Sequence, residues 1–410
     1  MSVRKKKKVQ PAFLAVDFFS GAGGTTRGLI DAGGYVIAGV DKDTSCEETY
    51  TKNNKNRSLD KKHARFLNFD IFPKTRAYPE GQQKLLFNEI ETLLSEYRKL
   101  TDENIPLFFA ICAPCQPFTR LSKKEMTEER KEKRLKDSNL LHEACKFVKR
   151  FKPEIVLSEN VAGISAAKFG GIWDEFRQEL SKLGYATGTK VVCTSKFGVP
   201  QYRKRSILLA VRKKSLKSER CKDLIGTEIM VPESDPDALT VTVQEAIGHL
   251  PPLGAGETHH TVPNHRTRSL SDLNYKRLSV AKPGETNAYL EKTKYGDLSL
   301  ECHKKAKKKH KQRCFTDVYT RMHPDRPSPT ITTKCHSISN GRYGHFDTKQ
   351  VRAISLREAA VIQSFPDDYV FFNDESLEAV ARMIGNAVPP KLASFYASYL
   401  AKSVETSTSS

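Results

Sequence analysis

Cys115 lies in "APCQPFT", residues 113–119, where the apolar run "IPLFFAIC" stops. Pro114 precedes it directly and Pro117 follows two residues later, a stiff setting that a buried structural thiol does not need. A thiol held at a strand end is instead placed to act as a nucleophile. Two later stretches supply groups such a nucleophile could work with. "VLSENVAG" puts Glu159 at the carboxyl end of another strand-like run, followed by Asn160. "GVPQYRKRSILLAV" offers Arg203 and Arg205 in alternation ahead of a strand, so their side chains are expected to face the same way. A cysteine, a carboxyl group and two arginines could thus meet at the carboxyl edge of a sheet, where open α/β folds bind their ligands.

A second group of residues points to a cofactor. "VDFFSGAGGTTRGL" places Asp17 at a strand end, then Gly21, Gly23 and Gly24, then a helix. Glycines at that point let the backbone turn tightly and approach a ligand. A dinucleotide fingerprint needs a glycine at the sixth place, where Thr26 stands, so NAD fits poorly. Asp41 ends the next strand, "YVIAGVD", placed to accept from ribose hydroxyls. Asp70 in "NFDIF", with Ile71 beside it, is suited to an adenine amino group. An acid for a ribose and a glycine turn without a pyrophosphate grip suit S-adenosylmethionine.

These residues need a scaffold, and the chain supplies one from Ala12 to about Arg212. "AFLAVDFF", "YVIAGVD", "PLFFAIC", "PEIVLSEN", "ATGTKVVCT" and "RSILLAV" read as strands, with helical patterns such as "QQKLLFNEIETLLSEYRKL", "NLLHEACKFVKRF" and "GIWDEFRQELSKLG" between them. That alternation predicts an α/β fold with a doubly wound, mostly parallel sheet. From about Lys213 the pattern turns irregular and basic, and helical patterning returns in "SLREAAVIQSFP" and in "LEAVARMIGNAVPPKLASFYASYLAKSV". The expected domains are 1–212 for the cofactor and catalysis, 213–372 as a smaller irregular domain, and 373–410 as a helical segment completing the first. The 410 residues carry 68 Lys plus Arg against 48 Asp plus Glu, a net charge of +20 that favours a polyanionic partner. No apolar run is long enough to span a bilayer, so no membrane partner is expected. Nine scattered cysteines fit a reducing cytosol.

"DFFSGAGG", "PCQPFT", "ENV", "QYRKR", "RPSPTITT" and "GNAVPP", in this order, resemble the motif set of the cytosine-5 DNA methyltransferases, from about Ala12 to Ala401. The resemblance implies an S-adenosylmethionine-dependent enzyme acting on double-stranded DNA. The irregular basic segment would be its target-recognition domain. It implies that Cys115 adds to C6 of a flipped cytosine, making C5 nucleophilic toward a methyl group. Glu159 would hydrogen-bond N3 and the exocyclic amine, a role that asks for a raised pKa. Arg203 and Arg205 would contact the base and favour the thiolate. Phe18, Leu140 and Asn386 fall where the family contacts the cofactor, and residues 120–137 where it keeps a loop that closes over DNA. Two positions depart from the pattern. Ala113 stands where many members have proline, and Lys42 where some place an adenine-stacking tryptophan.

The resemblance further implies a monomeric modification enzyme, partnered genetically by a cognate restriction endonuclease. It would work in the bacterial cytosol at the nucleoid, or in a nucleus if the source is eukaryotic. A tRNA cytosine-5 methyltransferase of the same fold is the alternative, since "PCQPFTR" and "CFT" at 314–316 resemble those enzymes too. "CHKKAKKKHKQRC", residues 302–314, is read as contacting phosphate or as a solvated basic face, rather than as a zinc site, and no metal is expected. Trp173, in a helical pattern, is expected in the core.

Overall fold

The computed structural model describes residues 9–101, 105–114, 139–164, 171–217, 228–310, 315–372 and 376–404. Cys115 and the 120–137 segment lie outside them. The chain divides into two compact units, one of Met1–Cys193, Lys204–Pro236 and Val388–Ser410, the other of Thr194–Arg203 and Asp237–Ala387. The divisions thus fall at 237 and 388, where the sequence pattern changes at 213 and 373, and 194–203 joins the later segment. The reasons are local. Ile229 donates its N–H to Thr187, and Pro232 and Met230 accept from Tyr396 and Tyr399, which ties 228–236 to the first unit. Ser328 donates to Pro200 in the second. No helix among the described residues is long and apolar enough to cross a membrane.

The first unit is built on a sheet of β1 (Leu14–Phe18), β2 (Tyr35–Asp41), β3 (Arg65–Asn68), β4 (Leu107–Ile111), β5 (Ile155–Val161), β6 (Tyr185–Cys193) and β8 (Lys204–Arg212), in the order β3-β2-β1-β4-β5-β8-β6. β1, β2, β3, β4 and β5 run parallel, and β8 lies antiparallel between β5 and β6. β1 and β4 are buried along their whole length, as strands covered on both faces must be, which is why they read as unbroken apolar runs. Strand order reverses between β1 and β4, so the ligand crevice of such a sheet opens at their carboxyl ends. α1 (Gly24–Asp31), α2 (Glu47–Asn53), α3 (Gln83–Arg98), α4 (Leu140–Phe151) and α5 (Ile172–Lys182) connect or follow these strands. α3 places Leu86, Ile90, Leu93, Leu94 and Tyr97 on one face, and that stripe joins the core with Phe109, Phe147 and Trp173.

α11 (Pro390–Ala401) starts with proline at its first turn and packs closely on α1. Gly28 makes the approach feasible, because a Cβ there would sit 2.5 Å from the Pro390 carbonyl oxygen and 2.6 Å from the Ala393 Cβ.

In the second unit, the strand pair β7 (Gln201–Tyr202) and β9 (Ser328–Pro329) runs parallel. The unit also holds α6 (Val243–Ile247), α7 (Asp272–Ser279), α8 (Glu301–His310), α9 (Leu356–Ile362) and α10 (Leu377–Asn386). Capping boxes at Thr242–Glu245 and Ser355–Glu358 fix the starts of α6 and α9. With so little regular structure, buried arginines satisfy the main chain. Arg321, with no exposure, donates to the carbonyls of Ala281 (3.0 Å), His345 (2.7 Å), Asp347 (2.8 Å) and Gln350 (2.9 Å).

Candidate active site

The carboxyl ends of β1 and β2 meet over the turn 20–23. Ser20 donates its N–H to the Val40 carbonyl, and Gly21 donates to Asp41 Oδ2 at 2.8 Å. Gly21 and Gly23 take φ of 49° and 91°, left-handed values that favour glycine. A Cβ added at Gly21 would meet nothing within 4 Å, so the space over the turn is open. Gly24 opens α1, whose first amides rise from this turn. Asp17 lies beneath, fully buried, with Oδ2 accepting from the Thr26 hydroxyl at 2.7 Å while Oδ1 has no hydrogen-bond partner among the described residues. Burial, joined by the charge of Asp41, lifts the Asp17 carboxyl to about 7, although its Thr26 hydrogen bond opposes the rise. Burial also pushes Asp41 up.

Other cofactor candidates are placed less uniformly. Asp70 accepts from the Phe72 N–H and is half-buried, whereas Ile71 and Leu140 sit in the core cluster. Phe18 packs beneath the turn. With no ligand covering it, it is already 0 % exposed, wedged against Phe109 and Phe147. The aromatic at the turn is Phe19, half-buried with φ of 61°. The sequence offered both rings, and only the backbone's swing out of β1 distinguishes them. Asn386, exposed at the end of α10, belongs to the second unit.

Glu159 sits near the carboxyl end of β5. Because β8 runs antiparallel, its first residues arrive at that same edge, and Val161 is registered opposite Arg205. Arg205 Nε stands 2.7 Å from Glu159 Oε1, each side chain 11 % exposed. The contact is an ion pair, and Oε1 has no hydrogen-bond partner among the described residues. Asn160 donates from Nδ2 to the Ala113 carbonyl at 3.1 Å, and Ser158 Oγ donates to the Ile111 carbonyl at 2.5 Å. The end of β5 is thereby bound to the segment leading to Pro114.

Cys112 opens that segment, a residue the sequence reading passed over. Burial pushes its thiol well up, and the carboxylates of Glu159 and Asp17 add to the effect. A thiol so held stays protonated and does not compete as the nucleophile. Its signal was its position just past β4, two residues beyond the partner of Asp17 in the register Asp17–Ala110. Arg203 makes different contacts from Arg205. β8 begins only at Lys204, and Arg203 belongs to the second unit. There its guanidinium donates to the carbonyls of Ile331 (2.9 Å), Gly385 (3.2 Å) and Ala387 (3.4 Å). Trp173 is a core residue, its indole N–H donating to Thr189 Oγ1 at 2.9 Å.

This glycine turn and paired Glu–Arg edge lie within a stretch, residues 13–402, that matches the profile of the C-5 cytosine-specific DNA methylases. The chain belongs to that family. It is 33 % identical over 379 residues to the Type II methylase M.HgiDII of Herpetosiphon aurantiacus, covering 92 % of each chain. It is 29 % identical over 384 residues to the Type II methyltransferase M1.HphI of Haemophilus parahaemolyticus, covering 92 % of this chain and 84 % of that one. A prophage-encoded DNA modification methyltransferase of E. coli superimposes with a TM-score of 0.64 at 19 % identity, over 95 % of this chain and 99 % of that one. Spodoptera frugiperda DNMT2 gives 0.52 at 17 %, with the same coverage. These two are likenesses of fold. The protein is thus a DNA cytosine-5 methyltransferase of Type II restriction–modification type, and methyltransferases of this family generally use S-adenosylmethionine.

Proposed function

We propose that this methylase modifies C5 of a cytosine turned out of duplex DNA, with Cys115 as covalent nucleophile and S-adenosylmethionine as donor. The observation that carries the reading is the Glu159–Arg205 pair at the sheet's carboxyl edge, with Glu159 Oε1 lacking a hydrogen-bond partner among the described residues. The residues fit the cofactor. Asp17 Oδ1 is a buried acceptor without a described partner, the space over Gly21 is open, and Asp41 stands at the rim. Asp17, Asp41, Asp70 and the 20–24 turn would hold it, with Phe19 supplying the aromatic wall; its sulfonium supplies an electrophilic methyl carbon.

The protein's own part begins with the Cys115 sulfur bonding to C6, which places the displaced electron pair at C5. Glu159 in its protonated form donates to N3 and accepts from the exocyclic amine, and Arg205 neutralises the charge that the thiolate brings. After the methyl group is bonded to C5, loss of the C5 proton to a base re-forms the double bond and expels the Cys115 thiolate. In a paired, stacked base N3 is bonded to the partner base and both ring faces, from which C5 and C6 must be approached, are covered by neighbouring bases, so the cytosine must leave the stack. The enzyme is inferred to act as a monomer in the cytosol, beside a cognate restriction endonuclease.

Tritiated cofactor tests the substrate and the nucleophile together. Label should enter duplex DNA and not tRNA, and Cys115→Ser should transfer essentially none. Label in tRNA alone would overturn the substrate, and undiminished transfer by the serine variant would overturn the nucleophile. Light scattering at assay concentration should give the mass of one chain; a dimer mass would contradict the monomer.

A further inference from the structure

Residues 271–310 of the second unit carry ten lysines and arginines against five acids, a larger basic excess per residue than the whole chain shows. The charge is organised on a firm base. Leu278 of α7 and Leu290 are buried in one apolar cluster with Tyr319, and Arg277 donates from Nε to the Leu298 carbonyl at 3.0 Å. The turn 293–296, closed by reciprocal hydrogen bonds between Thr293 and Gly296, projects from this base and holds Tyr295 in solvent. Lys294 Nζ lies 5.0 Å and Lys276 Nζ 5.8 Å from the centre of the Tyr295 ring. Ser279 and Lys294 stand near its phenol and hold the hydroxyl's pKa below the usual tyrosine value. Further along, Lys304 is neutralised by Asp297 and Glu301, each at 3.0 Å, while Lys305 and Lys308 are exposed on α8.

An exposed tyrosine between two ammonium groups, continued by two further lysines, is complementary to a run of phosphates and offers nothing suited to a neutral or apolar partner. We propose that this face, from Lys276 through Tyr295 to Lys308, grips the sugar–phosphate backbone of duplex DNA without reading its sequence. Ammonium groups and a phenol hydroxyl bind phosphate oxygens whatever base they carry. The face therefore contributes salt-dependent affinity and not the choice of target. This rests on the protein's action on DNA.

The test uses the full chain and a dA·dT duplex, which holds no cytosine to methylate. Two double variants, Lys276→Ala/Lys294→Ala and Lys305→Ala/Lys308→Ala, are compared with the wild type by anisotropy across salt. Each should flatten the plot of log affinity against log salt by about 1.8, so wild-type affinity falls roughly tenfold further between 50 and 200 mM salt than the variant's does. Bisulfite sequencing should find the same sites methylated by all three. Wild-type slopes in both variants would overturn the proposal, as would losses confined to cytosine-bearing targets or to RNA. Lys→Arg counterparts should restore the slope; failure to do so would mean the alanine effect is structural and would equally overturn it. A wild type that methylates no duplex would defeat the underlying reading instead, separately from the slopes.

Discussion

Replacing Arg205 by methionine keeps the aliphatic stem and deletes the cation beside Glu159. With both side chains only 11 % exposed, the pair sits in a medium far less polar than water. At an effective dielectric near 20, charges about 4 Å apart attract by about 4 kcal/mol, and removing one partner of a buried pair costs about 3–5 kcal/mol. Arg205→Met should therefore destabilise the first unit by about 3 kcal/mol, mostly because it strands a carboxylate. Glu159→Gln keeps an acceptor facing Arg205 and should cost about 1–2 kcal/mol. The double variant strands no carboxylate and should be more stable than Arg205→Met alone, a coupling of about 2 kcal/mol. Trp173 makes the assay specific, being the single tryptophan and fully buried in the first unit. Its fluorescence during urea unfolding gives the four stabilities, and tritium transfer to DNA gives the four activities. Stability should recover in the double variant while methyl transfer does not, because the proposed mechanism uses both groups on the base. Additive losses, or a double variant with restored activity, would refute the pairing argument.

Further outcomes follow from individual contacts. Gly28→Ala should cost about 1–3 kcal/mol through overpacking of α1 on α11, read as faster amide exchange across 390–401; unchanged exchange would contradict the close approach. Arg203→Ala should expose the carbonyls of Ile331, Gly385 and Ala387 and lower the thermal midpoint of the second unit. An unchanged melting curve would deny that role. Asp17 keeps its proton in the folded protein up to about pH 7, whereas the unfolded chain releases it near 4. The folded state thus binds more protons across that window, so stability falls as pH rises through it. Asp17→Asn should flatten the fall in urea midpoint between pH 4 and 7; a parallel curve would reject the buried-carboxyl assignment.

The strands were legible because parallel, doubly covered strands are apolar from end to end, as in β1 and β4. β3 was less so, since its "RFLN" buries only Leu67. The direction of β8 was hidden, because an antiparallel and a parallel central strand bury the same residues. That direction brings Arg205 to Glu159, so the pair was foreseen through motif resemblance while its geometry was not. Arg203 is the residue before β8, so period-two reasoning, which holds inside one strand, did not announce its bonds to the carbonyls of Ile331, Gly385 and Ala387. The final helical pattern reads as continuous, yet Pro389 and Pro390 divide it, one part ending α10's unit and the other opening α11. Phe18 and Phe19 are chemically identical, and only the positive φ at Phe19 turns one ring out of the core.

The most direct test of the account is covalent capture. The methylated site, once located by bisulfite sequencing, is rebuilt in a duplex carrying 5-fluorocytosine, which has no C5 proton to lose after methyl transfer. Elimination is then blocked and the sulfur–C6 bond persists. Mass spectrometry of the digested complex should find the nucleotide on the peptide holding Cys115, only when S-adenosylmethionine is present, and not with Cys115→Ser. A stable adduct on another residue, or methylation of the normal site with no adduct on the fluorinated one, would contradict it.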